Sequence, residues 1–229
     1  MSAAGPSQGA GPPLGGGRAA TSGGNSPSGR IEALLFDLGG VIVELDGIER
    51  MMQWCPSLGD TEALWRRWLA SPSVRAYESG RATRSQFAES VIAEFALPVS
   101  CDVFLDEFRF WPRKLYHDAP ALLQALKPRY RLASLSNTNE LHWERFDREW
   151  QLPSYFHANF PSYAVGRLKP DADYFEHVLE TLNVAPQQAL FIDDNTLNVE
   201  AAARLGIHAR KAIGPAGVRA VLAELDLYR

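Results

Sequence analysis

The sequence predicts an α/β fold: a Rossmann-like parallel sheet sandwiched by helices, with a helical cap inserted after the first strand. Three observations carry this. Short, continuously apolar stretches alternate with helical patterns, as in a parallel sheet buried on both faces. Three of those stretches stop at polar clusters: Asp37, Ser136-Asn137 and Asp193-Asp194. The alternation is broken once, by the 71 residues from Gly47 to His117, which hold no convincing strand.

Residues 1–30 contain 9 of the 18 glycines, four prolines and five serines, and their only charged side chains are Arg18 and Arg30. Such a composition cannot bury a core, so a disordered tail is expected. It has no apolar run resembling a secretory signal, so a cytoplasmic location is expected. Order begins near Ile31. Glu32–Phe36 reads as the first buried strand, ending at Asp37.

The interruption reads as four helices: one near Ile48–Trp54, then Thr61–Leu69, Arg84–Phe95 and Asp102–Trp111. Leu64, Trp65, Trp68 and Leu69 make one apolar face, and Phe87, Val91 and Phe95 another. The segment holds 11 of the 24 aromatic residues, enough to fill a small helical core. Trp54, Trp68, Tyr77 and Trp111 are candidates for a pocket wall.

The alternating rhythm then resumes. Tyr130–Leu135 and Ala189–Ile192 are strands, with weaker candidates at His157–Phe160 and Ile207–Ala212. Helices are expected at Pro120–Leu126, Leu141–Trp150, Asp171–Leu182, Leu197–Leu205 and Val218–Leu225. The domain plan is therefore a tail (1–30), a core (31–46 and 118–229) and a cap (47–117).

Composition excludes several classes. The chain of 229 residues carries 23 basic and 27 acidic side chains, a net charge of −4. Without the tail the balance is 21 to 27, so a nucleic-acid binder relying on bulk positive charge is excluded. No apolar run is long enough to span a membrane. Cys55 and Cys101 lack metal spacing and read as thiols. The five histidines are scattered without ligand spacing and read as structural or solvent-facing.

Ligands of an open parallel sheet bind beyond the carboxyl ends of its strands. The topology therefore gathers Asp37, Ser136, Asn137 and the Asp193-Asp194 pair at one edge, with Lys169-Pro170 before a helix, Pro170 suiting its first turn. Each has a plainer reading, as a helix cap, a turn residue or a surface lysine. Together they describe more. Adjacent carboxylates after a buried strand are costly unless a cation or hydrogen bonds offset them. Oxygen-rich, histidine-poor clusters suit Mg²⁺. A metal, a lysine, a hydroxyl and helix amides around an aspartate describe phosphoryl transfer.

These residues occur as Phe36-Asp37-Leu38-Gly39-Gly40-Val41, Leu135-Ser136-Asn137-Thr138-Asn139, Leu168-Lys169-Pro170 and Phe191-Ile192-Asp193-Asp194-Asn195. In this order the four motifs resemble those of the haloacid dehalogenase-like hydrolases, from about Ile31 to Arg229. The subgroup they most resemble is bacterial sugar-1-phosphate phosphatases with an Asp-Leu-Gly-Asn-Val first motif. The resemblance implies Asp37 as nucleophile forming an aspartyl-phosphate. It implies Ser136 and Asn137 as phosphate-binding, and Lys169 as the cation between nucleophile and phosphate. It implies Mg²⁺ held by Asp37, Asp194 and the Gly39 carbonyl, with Asp193 behind.

One departure stands out. Most phosphatases of the family carry an acid/base Asp two residues after the nucleophile, and here that position is Gly39. A sugar 1-phosphate, with its more acidic leaving oxygen, would need less help.

The expected protein is thus a Mg²⁺-dependent phosphatase of a small-molecule phosphate ester, monomer or homodimer, with neither nucleic acid nor membrane as partner. Two alternatives remain open at this level. A 2-haloacid dehalogenase also lacks the second Asp, since halide needs no proton. A catalytically inactive phosphate-ester-binding protein would keep the fold.

Overall fold

The computed structural model describes residues 30–54 and 60–228. The expected tail up to residue 29, and Cys55, lie outside the described residues. Five strands form one parallel sheet: β1 (Ala33–Phe36), β4 (Arg131–Ser136), β5 (Ala158–Pro161), β6 (Ala189–Asp193) and β7 (His208–Lys211), in the order β5-β4-β1-β6-β7. β1 lies at the centre, with Leu35 beside Ala133 on one side and Phe191 on the other.

Successive side chains of a strand point to opposite faces. Leu34 and Phe36 join one apolar cluster with Leu132, Leu190 and Ile192, under α6 (Ala119–Leu126) and α11 (Gly214–Glu224). Ala33 and Leu35 join the other with Ala133, Leu135 and Phe191, under α9 (Ala172–Leu182) and α10 (Thr196–Arg204). Burial on both faces explains why these strands read as unbroken apolar runs. Two further helices follow the carboxyl ends of β4 and β5: α7 (Glu140–Arg148) and the short α8 (Ser162–Val165).

The inserted segment carries α1 (Gly47–Trp54), α2 (Thr61–Ala70), α3 (Pro72–Glu78), α4 (Arg84–Phe95) and α5 (Cys101–Phe108). Their core is aromatic: Trp68 meets Phe87, Phe95, Phe108 and Trp111, with ring centroids 4.7–6.2 Å apart. Thr83 and Gln86 cap α4 reciprocally, and Ser100 caps α5. Cys101 is a free thiol.

Three readings of this segment need correction. It does contain a strand: β3 (Pro112–Leu115) pairs antiparallel with β2 (Val43–Leu45), so the chain leaves and re-enters the sheet layer through a two-stranded ribbon. Pro-Arg-Lys-Leu has no β-branched or alternating signal; the pairing comes from the proximity of the two crossings. The segment holds five helices among the described residues rather than four: the short α3, which opens on proline, is the one the four-helix reading leaves out. Pro72 is in its first turn, behind the Ser71 cap. The helix expected to reach Trp111 ends at Phe108.

The helical layer is tied to the sheet layer at several points. Arg145 of α7 is almost fully buried and donates to the Arg109 and Pro112 carbonyls (3.2 and 2.6 Å) while pairing with Glu149 (2.9 Å). Arg75 pairs with Asp171 at 2.7 Å and Arg84 with Glu140 at 2.9 Å. Among the described residues, no helix is long and apolar enough to cross a membrane.

Candidate active site

The carboxyl edge of the sheet gathers the polar residues. Asp37 follows β1 directly, and its N–H donates to the Ile192 carbonyl of the neighbouring strand (2.9 Å). This holds its backbone in line with the sheet while the side chain turns toward β6. Asp193 ends β6 and is fully buried. Lys169, also buried, reaches both: its Nζ lies 2.7 Å from Asp37 Oδ1 and 2.7 Å from Asp193 Oδ2.

Asn137 sets the position of that lysine. Its Nδ2 donates to the Lys169 carbonyl and its Oδ1 accepts from the Lys169 N–H, both at 2.9 Å. Its side chain thus clamps the lysine loop to the end of β4 rather than reaching freely into the site. Pro170 lies before the helix rather than in its first turn, because α9 begins at Ala172 after the Asp171 cap. Asp193 accepts further bonds from the Asn195 N–H (2.7 Å) and from Asn198 Nδ2 (3.0 and 3.1 Å). Both of its oxygens are thus occupied by protein donors, which suits a supporting position.

The three carboxylates offer oxygens within 4.8 Å of one another. Burial pushes Asp37 well above the usual carboxylate range; Lys169 pulls it back, and Asp193 and Asp194 push it further up. Burial and Asp193 push Asp194 up to about 6, against the pull of Lys169. Burial alone would lower Lys169, but Asp193 and Asp37 outweigh it and raise the ammonium. One buried ammonium among three carboxylates leaves excess negative charge, and a hard divalent cation is the natural complement. The Gly39 carbonyl accepts no backbone hydrogen bond among the described residues, which leaves it available as an oxygen ligand.

The glycines of the first motif shape this corner. Gly40 has φ +70°, and a Cβ there would lie 2.2 Å from Asp194 Oδ2. Its position is therefore closed to larger residues by Asp194 as well as by the backbone. A Cβ on Gly39 would lie 2.8 Å from Leu45 Cδ1.

A cavity of about 590 Å³ opens between this edge and the helical layer. Gly39, Gly40, Ser136, Asn137, Thr138 and Asp194 form its floor. Leu45, Trp65, Trp68, Phe108, Trp111 and Ile213 dominate its walls. Of the four aromatic candidates, Trp68 and Trp111 line it, whereas Tyr77 stacks on Phe87 and Trp54 packs against Phe104 in the helical core. Acidic side chains are present too, including Glu78 of α3, but no lysine or arginine lines the cavity among the described residues. Burial lowers His142 to about 4; its Nε2 must donate to the Phe108 carbonyl (2.8 Å), leaving Nδ1 to accept from Asn139. It is a neutral structural histidine, as the sequence predicts.

Sequence reasoning did not find Glu78. Neither periodicity nor a motif marks it, and only the docking of α3 brings it to the cavity.

A family model for haloacid dehalogenase-like hydrolases matches residues 31–206. D-ribitol-5-phosphate phosphatase of Bacteroides thetaiotaomicron is 26% identical over 188 residues, covering 77% of this chain and 89% of that protein. A sesquiterpene phosphatase of Aspergillus oryzae is 26% identical over 183 residues, covering 77% and 87%. A crystal structure of a HAD family enzyme from Bacteroides thetaiotaomicron, in complex with magnesium and inorganic phosphate, superposes with a TM-score of 0.65 at 25% identity, covering 80% of this chain and 94% of that one. The motifs, the sheet that carries them and this match over most of the chain agree: the protein belongs to the haloacid dehalogenase-like hydrolases.

Proposed function

We propose that the protein is a Mg²⁺-dependent phosphomonoesterase working through an aspartyl-phosphate. The observation that carries this reading is Lys169, which spans Asp37 and Asp193 beside Asp194. Asp37, Asp194 and the Gly39 carbonyl would hold the metal, with Asp193 behind them. Bound there, Mg²⁺ supplies the positive charge that lets a phosphate dianion approach a carboxylate.

The chain's own groups do the rest. An Asp37 carboxylate oxygen attacks phosphorus. Lys169, held by Asn137, favours the ionised form of that carboxylate and orients it. The Ser136 hydroxyl donates to a phosphoryl oxygen. Fixed donors and charges of this kind stabilise the transition state without reorganising during the reaction.

The cavity walls bear on the substrate's other half. Aromatic and aliphatic walls with several acidic side chains and, among the described residues, no lysine or arginine favour an uncharged organic group over an anionic one. The two phosphatase relatives are named for such groups, a polyol and a sesquiterpene. A sugar 1-phosphate is also uncharged beyond its phosphate and stays within this class; the apolar walls favour its less polar members. Carbon–halogen displacement by an aspartate needs no metal, so a three-carboxylate cluster that suits Mg²⁺ favours the phosphatase reading over the dehalogenase.

The test is hydrolysis of an activated aryl phosphate by wild type and Asp37→Asn, with Mg²⁺ and with EDTA. Turnover that needs Mg²⁺ and vanishes in the variant is expected. No turnover by a folded, Mg²⁺-binding protein would sink the reading.

A further inference from the structure

The proposed reaction needs a group that protonates the leaving oxygen and later takes a proton from the attacking water. Position 39 has no side chain, and Leu45 occupies the space where one would begin. The replacement must line the same cavity, lie outside the metal corner and have an unpaired carboxyl group shielded from solvent. Glu62 is committed to Arg66 at 2.9 Å on the surface, and Glu49 is exposed. Asp46 faces Arg113. Glu78 meets all three conditions. It is partly buried, and its carboxylate has no ion-pair or hydrogen-bond partner among the described residues.

Its backbone is also tied to the loop after Ser136 that carries Asn137. The Ser162 hydroxyl donates to the Glu78 carbonyl (2.6 Å), and Ser162 Oγ accepts from the Thr138 N–H (2.9 Å). One serine thus joins the end of α3 to the loop that follows Ser136. Gly80, with φ +70°, lets the chain pass against the Tyr163 carbonyl, which a Cβ would approach to 2.3 Å.

We infer that Glu78 is the general acid and base of this enzyme, delivered from the helical layer in place of the acid absent at Gly39. As Asp37 attacks, the bond from phosphorus to the ester oxygen breaks and the Glu78 proton passes to that oxygen, releasing the alcohol. Water then attacks the aspartyl-phosphate and gives its proton to the Glu78 carboxylate. Asp37 leaves as carboxylate, phosphate departs as the monohydrogen dianion, and Glu78 is protonated again.

The electrostatics agree with that use. Burial pushes the Glu78 carboxyl up to about 7, against the pull of Lys169 and Arg75. Arg75 is itself tied to Asp171, Asp194 lines the same cavity, and Tyr163 lies on the α8 against which α3 packs. A group near 7 can both give and take a proton at neutral pH.

The inference rests on the phosphatase reading, and leaving-group dependence separates the two. A simple alkyl phosphate needs the acid; a phosphate ester of an acidic phenol does not. In Glu78→Gln, alkyl phosphate turnover is expected to fall by about 10²-fold or more. The first release of phenol should survive, followed by slow turnover and accumulation of acid-stable-labelled phosphoprotein. Equal loss with both leaving groups, or no loss, would overturn the inference. A triple variant, Gly39→Asp with Leu45→Ala and Glu78→Gln, should regain alkyl phosphate turnover. The wild type supplies a check that needs no variant: its alkyl phosphate kcat/KM should show a limb near pH 7 that phenol release lacks. Absence of that limb counts against Glu78. A wild type inactive on both esters would overturn the phosphatase reading itself.

Discussion

Lys169 Nζ lies 2.7 Å from Asp37 Oδ1, and the same ammonium lies 2.7 Å from Asp193 Oδ2. The lysine is therefore shared between the proposed nucleophile and a fully buried carboxylate. On the proposed reading it is a catalytic and a structural cation at once, and its two roles respond differently to metal.

Replacing Lys169 by Met leaves two buried carboxylates without their counter-charge. Breaking a buried pair in this way costs roughly 3–5 kcal/mol. We expect a loss of that order in urea unfolding without metal, and partial recovery with excess Mg²⁺. Phosphatase activity should stay abolished even where stability recovers. Restored turnover would show that Lys169 is structural only.

Gly40→Ala places a methyl group 2.2 Å from Asp194 Oδ2 at a φ of +70°. The backbone strain alone costs on the order of 1 kcal/mol. The larger effect falls on Asp194, which must move. Mg²⁺ affinity, measured by calorimetric titration, should drop by about 10-fold or more. Unchanged affinity would separate Asp194 from the metal.

The cavity wall predicts a split between substrates. Trp111→Ala should raise KM for phosphate esters with bulky apolar groups and leave the smallest alkyl phosphate nearly unaffected. Gly47→Ala should act in the same direction, because a Cβ on Gly47 would lie 2.0 Å from the Trp111 ring. Equal effects on small and bulky esters would count against an apolar binding wall.

His142 makes stability depend on acid. Its folded value, about 4, lies below its unfolded value of 6.5, so the unfolded chain binds the extra proton first. Its contribution is present above pH 6.5 and is lost as pH falls from 6.5 toward 4. Asp37 and Asp194 act in the opposite sense, since burial raises both. The comparison is therefore wild type against His142→Gln: the variant's urea midpoint should fall less steeply across that window. Parallel slopes would rule out a buried neutral histidine.

Much of the site is legible without coordinates because its parts are local. Asp37, Ser136 and Asp193-Asp194 each follow an apolar run buried on both faces, and the end of such a strand is where a parallel sheet places its ligands. Other features are not local. β3 carries no strand signal and forms because Val43–Leu45 runs beside it. Trp54, Trp68, Tyr77 and Trp111 are alike in sequence, and only packing turns two toward the cavity. Asn137 reads as a phosphate ligand, and only the structure shows its amide closed on both backbone groups of Lys169.

The sequence by itself determined the parallel sheet and the residues gathered at its carboxyl edge, because alternation and strand ends are short-range properties; the acid missing at Gly39 is what the family resemblance adds. The tertiary structure decided what surrounds that edge: the shared lysine, the aromatic wall and Glu78. Those depend on how the helical layer docks, through contacts such as Ser162 with Glu78 and Arg145 with Pro112. Such contacts join residues far apart in the chain, and no window along it contains them.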